Sequence, residues 1–168
     1  METKNTYGRP IDGKNIRKIV TKESPAHIVY HSRKFGTEID LRHAVDFICE
    51  EGTPVKAAFY GEVVALVDIV KENYSGWEIP AEKDLPEEKQ EGNFVLLKHD
   101  NEEFSTYCHL GHKKVLVKKG QSVKTDEVIG YTGNTGWSIV PHLHFAVFKF
   151  TKPMPARDIQ SLEIRWKK

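Results

Sequence analysis

The sequence predicts a mostly β domain: an antiparallel sheet or sandwich with a groove across it and little helix. Three observations carry this. Hydrophobic residues make up 39% of the chain, with frequent Val, Phe and Tyr, residue types that suit a pleated, half-buried surface. The apolar runs are short, and the 12 Gly and 8 Pro fall mostly between them, which is the punctuation of strands and turns rather than of long helices. A chain of 168 residues is long enough for one domain with a real core and too short for two of ordinary size.

Residues 1–25 are polar and mixed in charge, with Gly8-Arg9-Pro10 and Asp12-Gly13 as turn signals. They read as an arm laid on a domain of residues 26–168, without chemistry of their own. The first clear strand spans 44–48, followed by the turn Glu51-Gly52-Thr53-Pro54, a strand at 55–58, the turn Tyr60-Gly61 and a strand at 62–70. Residues 71–92 lose strand periodicity and carry two prolines and many charges, so they read as a long insertion loop, a common position for a functional rim. Strands resume at 93–99 and 103–110 as a hairpin about Asp100-Asn101, then at 115–117, 127–131 and, after the loop Gly133-Asn134-Thr135-Gly136, at 143–150. A strand at 162–166 is expected to close an edge.

The 25 basic and 24 acidic residues nearly cancel and are interspersed, which removes the basic face that nucleic acid or acidic lipid would need. Cys49 and Cys108 lie inside apolar runs, where a free thiol packs as a small hydrophobe, so no disulfide framework is expected. No stretch approaches the roughly eighteen apolar residues of a membrane span. Residues 1–19 contain no apolar run of signal-peptide length, so the chain as written reads as soluble and not exported by the general route.

Eight histidines stand at positions 27, 31, 43, 99, 109, 112, 142 and 144, and any one alone is most simply a surface or packed imidazole. Their arrangement says more. Strand alternation in Pro141-His142-Leu143-His144-Phe145 points both imidazoles to one face and Leu143 and Phe145 to the other. Such a pair suits a division of labour, one ring on a metal and the other at the reacting oxygen. Alternation in 104–110 puts Ser105, Tyr107 and His109 on one face and Phe104, Thr106, Cys108 and Leu110 on the other, so Tyr107 and His109 are expected to face a groove together. Asp46, flanked by apolar residues within a strand, needs a cation or several donors to offset its desolvation. A structural salt bridge would serve. So would a metal held by this carboxylate and imidazoles from neighbouring strands.

The runs AVDF, EGTPVKAAFYGEVV, GNFVLLKH, YCHL, VKKGQSV, IGYTGNTGWS and PHLHF, in this order between about 44 and 150, resemble the lysostaphin-like zinc endopeptidases, which cut peptide cross-links in bacterial cell walls. The resemblance implies one zinc ion with Asp46 and His144 as ligands, and His109 and His142 as two catalytic histidines that do not bind it. It also implies a peptide or peptidoglycan substrate with small residues such as glycine or alanine near the cleaved bond, and an extracytoplasmic place of action. Asp126 stands where the family usually has glycine, and aspartate tolerates the left-handed conformation that turn requires.

One position departs from the family. Many members carry a histidine four residues before the aspartate, where this chain has Arg42. His43, three residues before Asp46, has the wrong parity to share its face on a regular strand. The beta-lytic and staphylolytic branch takes this histidine from a loop well upstream, and His31 is similarly placed. His31 is therefore the expected third ligand, with His43 second and His27 a distant third. The implied activity is hydrolysis of a peptide bond by zinc-activated water, assisted by His109 and His142, with Tyr74 and Trp77 of the insertion as possible walls of the groove. The alternative is a metal-free module of the same fold that binds a cell-wall peptide or a partner enzyme without cutting. A phosphocarrier using paired histidines ranks last, because Asp46 would repel a phosphoryl group.

Overall fold

The alternating apolar runs form strands lying side by side. The computed structural model describes residues 1–32, 37–75, 90–152 and 158–168. In chain order the strands are β1 (Lys18–Val20), β2 (Val29–Ser32), β3 (Thr37–Asp40), β4 (Val45–Ile48), β5 (Pro54–Lys56), β6 (Gly61–Val67), β7 (Asn93–Lys98), β8 (Phe104–Val115), β9 (Ser122–Val123), β10 (Val128–Thr132), β11 (His142–Phe150) and β12 (Ile159–Ser161). They hydrogen-bond into one sheet along the path β2-β3-β12-β11-β8-β7-β6-β9. Strands β4 and β1 add beside the first half of β11, and β10 and β5 beside the far end of β8. Pairing is antiparallel except between β12 and β3, so the expected mostly β, antiparallel architecture holds.

Strand β11 is the axis. Its residues Leu143 and Phe145 stand opposite Phe47 and Val45 of β4, and Phe145 and Val147 opposite Tyr107 and Ser105 of β8. Leu143, Phe145, Val147, Phe47 and Tyr107 are buried together with Val95, Leu97, Val63 and Ile129 in one core, each fully buried aliphatic or aromatic side chain contributing about 1.5–3 kcal/mol by leaving water. The opposite face of the same three strands carries His142, His144, Asp46 and Cys108. These too are buried, so β11 is covered on both faces, and its second face is a polar pocket rather than a solvated surface.

Several elements differ from their expected extents. Strands β1, β2, β3, β9 and β12 are short and carry few apolar residues, so no periodicity announces them. The expected strand at 162–166 is reduced to bridges, Glu163 with Glu2 and Trp166 with Tyr7, although Leu162 and Ile164 are buried. The first 25 residues do more than lie on the surface. Tyr7 and Ile11 are fully buried in the main core, and the backbone N–H of Tyr7 donates to the carbonyl of Arg165.

Candidate functional site

The register of β11 against β4 places His144 directly opposite Asp46. On its other side His144 faces Cys108 of β8. Strict alternation would then send His109 to the core with Tyr107, and a bulge prevents it. Val95 pairs with Tyr107 but Asn93 pairs with Leu110, so two steps of β7 oppose three of β8. The extra residue falls at Cys108-His109, and His109 takes φ +63°. A bulge of this kind re-aims a side chain and bends its strand. His109 turns into the pocket. Tyr107, expected to face the groove beside it, stays in the core instead. Its ring lies 5.1 Å from that of Phe145, and its hydroxyl accepts from the N–H of Ala58 at 2.9 Å.

Four imidazoles and one carboxylate meet in the pocket. Asp46 Oδ1 lies 2.8 Å from His144 Nδ1, 3.1 Å from His27 Nε2 and 3.7 Å from His142 Nε2. One donor atom each of His27, Asp46 and His144 lies within 4.8 Å of the others. A tetrahedral ion with ligand bonds of about 2.0–2.1 Å separates its ligands by about 3.3 Å, so these separations need little adjustment to hold one. The chemistry of the donor set fits as well. His27 Nδ1 faces the carbonyl of Thr21, which only accepts, so Nδ1 carries the proton. In the neutral ring the Nε2 lone pair is then aimed at a carboxylate oxygen, an arrangement that a cation between them relieves.

His109 and His142 stand beside this trio. Their ring centroids are 4.6 Å apart, and His109 is 6.0 Å from His144. His109 Nδ1 donates to the carbonyl of Thr135 at 2.9 Å. His142 Nδ1 donates to the carbonyl of Val140 at 2.7 Å and lies 3.0 Å from Ser138 Oγ. Because each Nδ1 is committed to an acceptor, each Nε2 is the nitrogen free to take or give a proton.

Burial sets the ionisation of these groups. Desolvation holds the His109 imidazole well below its ordinary pKa, and charge on His142 and His144 would push it further down. His142 is also depressed by burial, though the Asp46 carboxylate opposes that. For Asp46 burial alone would raise the carboxyl. The imidazoles of His144, His27 and His142 gathered around its oxygen outweigh it and hold the group below the usual carboxylate range. The pocket thus pairs an ionised carboxylate with neutral catalytic candidates.

Of the residues expected from sequence, Asp46, His109, His142 and His144 come together and His31 does not. Its side chain is 76% exposed, 3.8 Å from Glu38 on the β2–β3 hairpin, and His27 stands with Asp46 and His144 instead. The reason is geometric. His31 pairs with Glu38 in a hairpin whose base is Val29 and Asp40, and each strand residue carries the chain about 3.3 Å further away. His27 precedes that base. His43 does not join the group; its backbone N–H donates to Ser161 Oγ. Arg42 forms a two-pronged ion pair with Asp40 at 2.9–3.0 Å. Thr135 and Ser138, whose carbonyl and hydroxyl meet Nδ1 of His109 and His142, carry no signal in a segment that the sequence marks only by its glycines. Trp77 lies outside the described residues.

An antiparallel sheet whose central strands present a buried His-Asp-His trio, with two further imidazoles alongside, defines a metallopeptidase-like site. The chain belongs to Peptidase family M23, which matches residues 40–156. Lysostaphin of Staphylococcus simulans is 34% identical over 117 residues, 69% of this chain and 20% of that protein. The crystal structure of its catalytic domain gives a TM-score of 0.51 at 31% identity, covering 71% of this chain and 74% of that one. Peptidoglycan DD-endopeptidase ShyA of Vibrio cholerae is 43% identical over 65 residues, 39% of this chain and 15% of that protein. A zinc-containing peptidase from Vibrio cholerae gives a TM-score of 0.59 at 25% identity over 95% of this chain and 40% of that one. The chain spans about a fifth of the length of the curated relatives it matches. His27 lies before the matched segment.

Proposed function

We propose that the chain is a zinc-dependent endopeptidase acting on peptide cross-links of peptidoglycan or similar Gly- or Ala-containing peptides. In this reading His27, Asp46 and His144 hold one zinc ion, and His109 and His142 serve the reaction without binding it. The observation that carries it is the convergence of all five side chains on one buried pocket. Membership of a peptidase family, a DD-endopeptidase among the relatives and a zinc-containing peptidase among the structures support it. The metal-free alternative rested on Arg42, and His27 fills the gap that substitution leaves.

When bound, the ion supplies Lewis acidity, which brings water to a pKa of about 7 and polarises the scissile carbonyl. Asp46 and the two ligand imidazoles bind and orient that charge. His109 and His142 present Nε2 toward the same space, one to take the proton from the attacking water and the other, once it takes up a proton, to donate to the oxyanion. The carbonyls of Thr135 and Val140 hold both rings in the tautomer this requires. Substrate in the groove excludes water from the buried pocket, which strengthens each of these interactions.

The test is zinc content with hydrolysis of purified peptidoglycan, on the wild type beside His27→Ala and His31→Ala. Losing a group that merely supports a ligand costs about 10–100-fold in metal affinity, so His27→Ala is expected to lose more than that and His31→Ala to match the wild type. A wild type without stoichiometric metal that cannot be reconstituted removes the peptidase reading. Loss of zinc in His31→Ala alone moves the third ligand back to the hairpin.

A further inference from the structure

We propose that Asn73 is a positioning residue that aligns both non-ligand histidines through the loop between β10 and β11. The inference rests on the roles given above to His109 and His142. The side-chain amide of Asn73 spans that loop, with Nδ2 donating to the carbonyl of Asn134 at 2.5 Å and to that of Ser138 at 2.8 Å. Its Oδ1 accepts from the N–H of Ser75 at 2.8 Å, which fixes the amide's orientation. The backbone on either side runs along the loop as a short bridge: Gly136 N–H donates to the carbonyl of Glu72 and Tyr74 N–H to that of Gly136.

The two carbonyls that Asn73 grips bracket the groups that orient the catalytic candidates. Between them lies Thr135, whose carbonyl takes the Nδ1 proton of His109. At the far end is Ser138, whose hydroxyl donates to Val140 and lies against Nδ1 of His142. The acceptor on Nδ1 decides which ring nitrogen is free, so one amide governs the tautomer of both rings. From inside the fold the loop is held at Gly133, whose N–H donates to the carbonyl of His109, at Trp137, whose N–H donates to the carbonyl of Gln90, and at Thr135, whose Oγ1 accepts from the N–H of Asn93 and donates to the carbonyl of Leu110. On the outer side the carbonyls of Asn134 and Ser138 both accept from the Asn73 amide, beside the backbone bridge at Gly136. The insertion therefore serves the site by bracing it, apart from any contact its tip makes with substrate.

Asn73→Asp is the sharpest variant, because it keeps the size and the acceptor for Ser75 while replacing both donors by oxygen facing two carbonyls. Asn73→Ala removes the group without that repulsion. On zinc-loaded protein, imidazole nitrogen-15 spectra should report the Nδ1–H tautomer for His109 and His142 in the wild type and a mixture in both variants. Peptidoglycan hydrolysis should fall about tenfold to a hundredfold in kcat, the scale of a misplaced catalytic group, with zinc content unchanged and KM within about twofold. Wild-type tautomers and kcat in both variants overturn the proposal. So does a loss of kcat that tracks lost zinc or lost folded protein. If the wild type cuts no peptide, the peptidase reading falls, and the tautomers alone still decide the role of Asn73.

Discussion

Asp46 Oδ1 lies within hydrogen-bonding distance of His27 and His144 and 3.7 Å from His142, and this sharing separates the histidines by role. His144 and His27 bring a ring nitrogen to 2.8 and 3.1 Å from the carboxylate oxygen, while the nearest nitrogen of His142 stays at 3.7 Å and His109 spends Nδ1 on the carbonyl of Thr135. His144→Ala is therefore expected to lose the metal, whereas His109→Ala and His142→Ala keep zinc and lose turnover by about 10²–10⁴-fold, the range of a positioned acid or base. Metal analysis beside steady-state kinetics checks this, and a His142→Ala protein without zinc beside a zinc-loaded His144→Ala would reverse the assignment. At this scale the alternation of His142 and His144 was legible from period two alone. Which of the pair meets Asp46 was not, because that depends on the register between β4 and β11, and pairing register is written in no single segment. The family resemblance supplied the assignment, and the register sets His144 opposite Asp46. His27 carries no local mark at all, since it sits in a bend just before the base of the β2–β3 hairpin, and only the fold brings it to Asp46.

Elements reach the pocket through their irregularities. Alternation alone predicts the wrong company for His109, and the bulge with its positive φ corrects the direction while leaving Tyr107 in the core. Asp126 is a simpler case: expected to take a left-handed turn, it has φ +67°. The loop from Gly133 to Gly136 was legible as a tight curve from its glycines, and each has a separate reason. Gly136 has φ +78°, and a Cβ on Gly133 would stand 2.5 Å from Gly111 Cα, a backbone atom with no room to move. Gly133→Ala is thus expected to displace the loop from β8, destabilising the protein by about 1–3 kcal/mol as overpacking does. Because Thr135 and Ser138 move with that loop, hydrolysis per bound zinc should fall as well. Denaturant unfolding together with kinetics normalised to zinc content reads both effects. Unchanged turnover per zinc would mean that the loop's position does not control the histidines.

Across the whole molecule, the N-terminal segment and the loop after β7 close the core at the end away from the pocket. Apolar residues spaced singly, as Tyr7 and Ile11 are, give no periodicity to read, so their burial emerges only when the chain is folded over β8 and the C-terminal residues. There Glu103, fully buried, accepts from the Tyr7 hydroxyl at 2.9 Å and from the N–H of Asn5 at 3.2 Å. His99 packs edge-on against Tyr7 with ring centroids 5.4 Å apart. Its Nδ1 donates to the carbonyl of Tyr60 at 2.7 Å, and its Nε2 lies 2.7 Å from Ser105 Oγ. Burial lowers the His99 pKa below its ordinary value, against the opposing pull of its bond to Tyr60 and of Glu103 and Asp100. The folded state therefore binds fewer protons here than the unfolded chain, whose histidine titrates near pH 6.5. The stability this supplies is complete above about pH 6.5 and is lost as pH falls from there toward the depressed folded value. One proton sets an upper limit of about 1.4 kcal/mol per pH unit on the slope. His99→Gln, which cannot take up that proton, is expected to be less stable near neutrality yet to lose stability less steeply between about pH 6.5 and pH 5 in urea titrations. A slope equal to that of the wild type would place the acid sensitivity elsewhere, in the pocket histidines rather than under the N-terminal segment.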